Sequence, residues 1–88
     1  MFLSILENYI NKLTINDIIL FSNKNNIPLS SKEISYVYNT IKHDYKTLLS
    51  DNYDEVFLKS QNYIGEEKLK KIYNLFLDYR SKYHNFLN

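Results

Sequence analysis

Asn25-Asn26-Ile27-Pro28-Leu29-Ser30-Ser31-Lys32-Glu33-Ile34 ends one helix and begins the next. Proline has no N–H to give to a helix ladder, and it disfavours helical geometry at the residue before it, here Ile27. Two residues later Ser30 stands three positions before Glu33. This is a capping box, in which the serine oxygen takes an N–H of the first turn and the glutamate reaches back to the serine N–H. Behind it Ile34, Val37, Tyr38 and Ile41 fall on one helical stripe. The stripe can continue through Tyr45, Leu48 and Leu49; the reading places the break at His43-Asp44.

The same signals recur on both sides of this stretch. Phe2, Ile5, Leu6, Tyr9, Ile10 and Leu13 recur at helical spacing and predict a first helix over about residues 2–12. Thr14-Ile15-Asn16-Asp17 is an N-cap signature in its aspartate form, and it opens a second helix from about Ile15 to Lys24. Ser50-Asp51-Asn52-Tyr53-Asp54 reads as a further serine cap. The fourth helix behind it has Tyr53, Val56, Phe57 and Ser60 on its buried face. Gly65, the only glycine, marks the stop before the last helix, which Glu66 and Glu67 open with the charge that a helix N-terminus prefers. Leu69, Ile72, Phe76, Tyr79, Tyr83 and Phe86 then recur at spacings of three and four over about 22 residues, or ~33 Å. No segment alternates apolar and polar residues with period two. The expected fold is all-α: a compact bundle of four to five helices in one domain over residues 1–88, with short helices closed by a long C-terminal one. Its core should contain Ile5, Leu6, Ile18, Ile19, Val37, Ile41, Phe57, Leu69, Ile72 and Phe76.

Asn11-Lys12-Leu13-Thr14-Ile15-Asn16-Asp17-Ile18-Ile19 and the later Asn26-Ile27-Pro28-Leu29-Ser30 resemble the opening of a family of short all-helical proteins of unknown function from low-GC Gram-positive bacteria. Glu67-Lys68-Leu69-Lys70-Lys71-Ile72-Tyr73-Asn74-Leu75-Phe76 resembles that family's closing helix, so the likeness spans about residues 5–79. Where the family carries a glycine-containing turn after its third helix, this chain has His43-Asp44-Tyr45-Lys46. The resemblance implies a helical fold and a bacterial cytosolic setting, and it brings no catalytic or binding residue.

Composition excludes several chemistries. The 88 residues contain no cysteine, so disulfide scaffolds, thiolate zinc sites and cysteine nucleophiles are ruled out. One glycine cannot build a glycine-rich phosphate loop. Alanine is absent, whereas Phe, Tyr, Met, Ile, Asn and Lys fill 47 positions. That bias is the mark of an AT-rich coding sequence, and it accounts for the many tyrosines and lysines without a function. No apolar run reaches the ~18 residues that span a bilayer. Met1-Phe2-Leu3-Ser4-Ile5-Leu6 has neither the basic flank nor the cleavage site of a signal peptide. A cytoplasmic protein with no membrane partner is expected.

Candidate chemistry is sparse. His43 and His84 stand in no two-ligand helical spacing, and a histidine near a helix C-terminus is already favoured by the dipole. Asp51-Asn52-Tyr53-Asp54-Glu55 lacks the ligand spacing and central glycine of a calcium loop. No catalytic residue, cofactor or metal is expected, and the chain reads as no enzyme.

The net charge of +1 is unevenly spread: residues 44–67 carry −4 and residues 68–88 carry +4. The expected function is a non-catalytic protein–protein interaction module or accessory subunit, bound to a partner protein or to a second copy. Tyr79, Tyr83, Phe86 and Leu87, at the end of a helix longer than its neighbours, form the expected contact surface. The alternative is a nucleic-acid-binding protein, with RNA contacts from Lys68, Lys70, Lys71, Arg80 and Lys82. Asp17 to Lys42 also has a helix-turn-helix outline, with Lys32, Tyr36, Asn39 and Lys42 on its second helix. The long turn around Pro28 and the absence of arginine from that helix count against the outline.

Overall fold

The computed structural model describes residues 2–82, and all of their side chains but those of Phe2, Leu3 and Leu6. Five α-helices follow in order: α1 (Phe2–Lys12), α2 (Ile15–Lys24), α3 (Ser31–Leu49), α4 (Tyr53–Ser60) and α5 (Glu66–Lys82). No strand occurs among the described residues. Both caps read from sequence are present. Thr14 Oγ1 accepts from the Asp17 N–H and Asp17 accepts from the Thr14 N–H, at 3.2 and 2.9 Å. Ser30 and Glu33 repeat the exchange at 3.2 and 2.8 Å.

Helix α3 is the axis, packed against α1, α2 and α4, while α5 packs against α4. Contacts at both ends give the direction of α5. Lys68 near its start reaches Glu33 near the start of α3, and Arg80 near its end reaches the Leu48 and Leu49 carbonyls. The two longest helices therefore run parallel, with α4 returning antiparallel between them. The radius of gyration is 12.7 Å, close to the ~12 Å of a compact domain of this length.

The turn after α2 is the tightest part of the core. Asn26 takes a left-handed conformation with φ 55°. The Ile27 N–H then reaches the Ser22 carbonyl at 3.0 Å and the Asn26 N–H the Asn23 carbonyl at 3.4 Å. These two bonds make a Schellman motif with asparagine where glycine is usual. The motif turns Ile27 inward, where it is 1% exposed; Ile18, Val56, Ile64 and Leu69 are the other buried apolar residues among those described. Ser22 is buried with them and donates to the Ile27 carbonyl. Gly65 has no such role. Its φ is negative, and its carbonyl accepts the Leu69 N–H at the start of α5.

Several expectations are corrected. Helix α3 does not break at His43-Asp44 but runs to Leu49. No proline or glycine interrupts it there, and Asp44 is held by Lys59 of α4 at 3.1 Å. Ser50 does not cap α4, which begins behind Asn52 without a side-chain cap. Instead the Ser50 hydroxyl donates to the Thr47 carbonyl and accepts from the Asn52 N–H, closing α3. Ile5 is 56% and Ile19 37% exposed, so neither is core. Val37, Ile41, Phe57, Ile72 and Phe76 are half-buried, and the Leu6 side chain lies outside the described set.

Truncating Ile27 to alanine should lower stability by about 2–4 kcal/mol, from lost burial and the cavity left behind. Ile5→Ala should stay within about 0.5 kcal/mol, and urea unfolding of the two variants checks the contrast. Asn26→Val should cost about 1–2 kcal/mol through its left-handed backbone, whereas Asn26→Gly should be neutral or stabilising in the same assay.

Candidate interaction surface

Polar side chains that sequence reading assigns to solvent or to a ligand are largely spent inside the fold. The Arg80 guanidinium donates to the Leu48 and Leu49 carbonyls, each at 3.3 Å, and to Asp51 at 3.3 Å. It also lies 4.7 Å from the centre of the Tyr53 ring. The last carbonyls of α3, which have no intrahelical partner, are thus completed from α5. Lys42 does the same for α1, donating to the Asn11 carbonyl at 3.0 Å.

The five basic residues of the RNA reading separate accordingly. Arg80 is structural, Lys68 pairs with Glu33 at 3.0 Å, and Lys82 lies 3.5 Å from Asp78. Lys70 and Lys71 stand exposed. The helix that a helix-turn-helix would send into a DNA groove is α3, the packed axis. Its Tyr36 stacks on Tyr63 at 4.5 Å and bonds Ser60 Oγ at 2.9 Å. The Ser60 proton is committed to the Val56 carbonyl, so Tyr36 is the donor.

An aromatic cluster joins α4 to α5. Tyr53, Phe57, Tyr73 and Phe76 pack with ring centres 4.8–6.4 Å apart. The Tyr73 hydroxyl donates to Asp54 at 2.8 Å, and that bond to a carboxylate pushes the phenol up to about 12. Beside the cluster a groove of about 880 Å³ opens between the helices. Phe57, Leu58, Ile64, Leu69 and Tyr73 supply its apolar lining, and Asp54, Gln61, Glu66 and Lys70 its polar one. Sequence reading places Phe57 and Leu69 in the core and does not find the groove, because its walls come from two helices whose relative rotation no periodicity encodes.

The apolar surface is larger than expected and lies elsewhere. Helix α1 meets α3 at Tyr45, whose phenol is pushed up by burial and then by the Glu7 carboxylate, and through the Asn11 carbonyl. These contacts lie to one side of the apolar stripe of α1. Ile10 is half-buried, whereas Ile5 is 56% and Tyr9 70% exposed. Ile15, Ile19 and Leu20 of α2 are exposed as well. Of the four residues expected to form a contact surface, Tyr79 is 54% exposed on α5, with Lys82 5.9 Å from its ring centre. Tyr83, Phe86 and Leu87 lie outside the described residues, as does His84; His43 is exposed on α3.

Among the described residues no three His, Asp or Glu side chains come together as a metal site, and no helix is long and apolar enough to cross a membrane. No protein family, curated protein or solved structure matches the chain.

The Glu33 carboxyl is held below its ordinary 4.5 by the Ser30 N–H, with Lys68 adding to the effect against the opposing pull of burial. A lowered carboxyl stabilises the fold above its unfolded value, and that stability is lost as pH falls through the lowered value. Glu33→Gln should therefore destabilise at neutral pH, and the gap to the natural chain should close on acidification. Urea midpoints across the acid range check this; parallel curves would refute it.

Proposed function

We propose that this chain is a non-catalytic interaction module, or accessory subunit, that binds a protein through apolar side chains its own fold leaves uncovered. The observation that carries the reading is the rotation of α1. Among its described side chains Glu7 and Ile10 are half-buried, whereas Ile5 and Tyr9, one turn apart, remain exposed. A surface helix ordinarily turns the middle of its stripe to the core. Large apolar residues grouped on a surface are the usual substance of a protein interface. Exposed Tyr79 supports the contact surface expected from Tyr79 to Leu87.

Ile5→Lys with Tyr9→Lys tests this reading. The double variant should melt within a few degrees of the natural chain, because neither side chain is core. Cross-linking in the native host followed by affinity purification should yield a stoichiometric protein with the natural chain and lose it with the variant. Retention of the partner by the double variant would overturn the α1 surface. Recovery of nucleic acid, released steeply by added salt, would favour the alternative function.

A further inference from the structure

The groove between α4 and α5 has a feature that the α1 surface lacks: it contains both halves of a contact. Leu58 stands on its rim 61% exposed, beside a hollow lined by Phe57, Ile64 and Leu69 and ample for a leucine side chain. The charges at the mouth are of both signs. Glu66 and Lys70 line it, one turn apart on α5, and neither has an ion-pair partner among the described residues. The spacing is regular on both walls. Asp54, Phe57 and Leu58 of α4 with its C-cap Gln61, like Glu66, Leu69, Lys70 and Tyr73 of α5, recur at i, i+3, i+4 and i+7. This is the pattern by which helices interdigitate with other helices.

A projecting leucine next to a hollow, and an acid next to a base, make a patch complementary to itself. Such a patch suits a two-fold contact, where residue i meets j and j meets i. We propose that the α4–α5 groove is the interface between two copies of this chain. The Leu58 side chain of each copy enters the groove of the other, and Lys70 of each meets the partner's Glu66. Two antiparallel helix pairs then form one four-helix layer. The inference rests on the reading of the chain as an interaction module, but it uses a different face from α1.

Sedimentation velocity over a wide concentration range tests it. The natural chain should show a reversible monomer–dimer equilibrium. Leu58→Asp, an exposed change that spares the core, should weaken dimerisation about tenfold or more, as loss of an anchor residue does. Glu66→Lys makes the mouth mostly positive and Lys70→Glu makes it wholly negative, so each variant alone should dimerise several-fold more weakly. An equimolar mixture should recover association as a heterodimer, which general destabilisation cannot produce. A monomer at millimolar concentration, a dimer indifferent to Leu58→Asp, or a mixture that fails to recover would each overturn the proposal. The Ile5→Lys, Tyr9→Lys double variant separates the two readings. It should dimerise normally, and if it alone abolishes dimerisation, the groove assignment falls while the interaction reading stands.

Discussion

The structure depends on what one guanidinium does at the meeting point of three helices. Arg80 gathers the open carbonyls at the end of α3, the Asp51 carboxylate in the turn, and the Tyr53 ring at the start of α4. It does so from α5. A lysine could not replace it, because a single ammonium lacks the planar fork that serves two carbonyls and a carboxylate while lying over a ring. The chain uses lysine at its ten other basic positions, and its one arginine stands where that geometry is required. With the C-terminal end of α5 fixed there and its start fixed by Lys68 on Glu33, α5 is aligned with α3 at both ends.

Much of the fold was legible because helix starts are local. Thr14 with Asp17 and Ser30 with Glu33 declare themselves within four residues, and both boxes form as read. The ends of α1 and α3, unlike that of α2, draw on distant residues. The end of α3 is completed by a residue 31 positions away, and that of α1 by one equally distant. Nothing near His43 or Ser50 announces either contact. Ile27 and Ile64 were missed for a related reason. Each sits in a turn, where no stripe identifies a core residue, although an apolar residue two places past a helix C-cap is a signal for the first. Ile5 failed in the other direction. Its spacing is helical, but periodicity does not say which edge of a stripe turns inward: Glu7 and Ile10 are half-buried while Ile5 and Tyr9 are exposed. Of the candidate surface, Tyr79 was legible as an aromatic near the end of a long stripe. The groove was not, since it exists only once α4 and α5 are side by side.

Several of the nine tyrosines have defined places in the fold. Tyr36 bridges α3 to buried Ser60 and stacks on Tyr63, and Tyr53 and Tyr73 join two phenylalanines in the α4–α5 seam. A chain without alanine fills small interior gaps with serine instead. Ser22 and Ser60 are both buried, and each donates to a main-chain carbonyl, so neither hydroxyl is left unsatisfied. The buried centre is therefore aliphatic with two hydroxyls inside it, and the aromatic rings lie half-buried around it.

The helix ends also impose an order in time. Lys42 completes α1 from α3, and Arg80 completes α3 from α5, so each finishing group is encoded downstream of the end it finishes. On a ribosome, where the N-terminal part emerges first, α1 waits for α3 and α3 waits for the final helix. The first three helices can coil as they appear, but the last carbonyls of their axis stay open to water, or to another chain, until about 30 further residues have been made. Arrival of Arg80 is thus the step that turns a set of helices into a finished bundle.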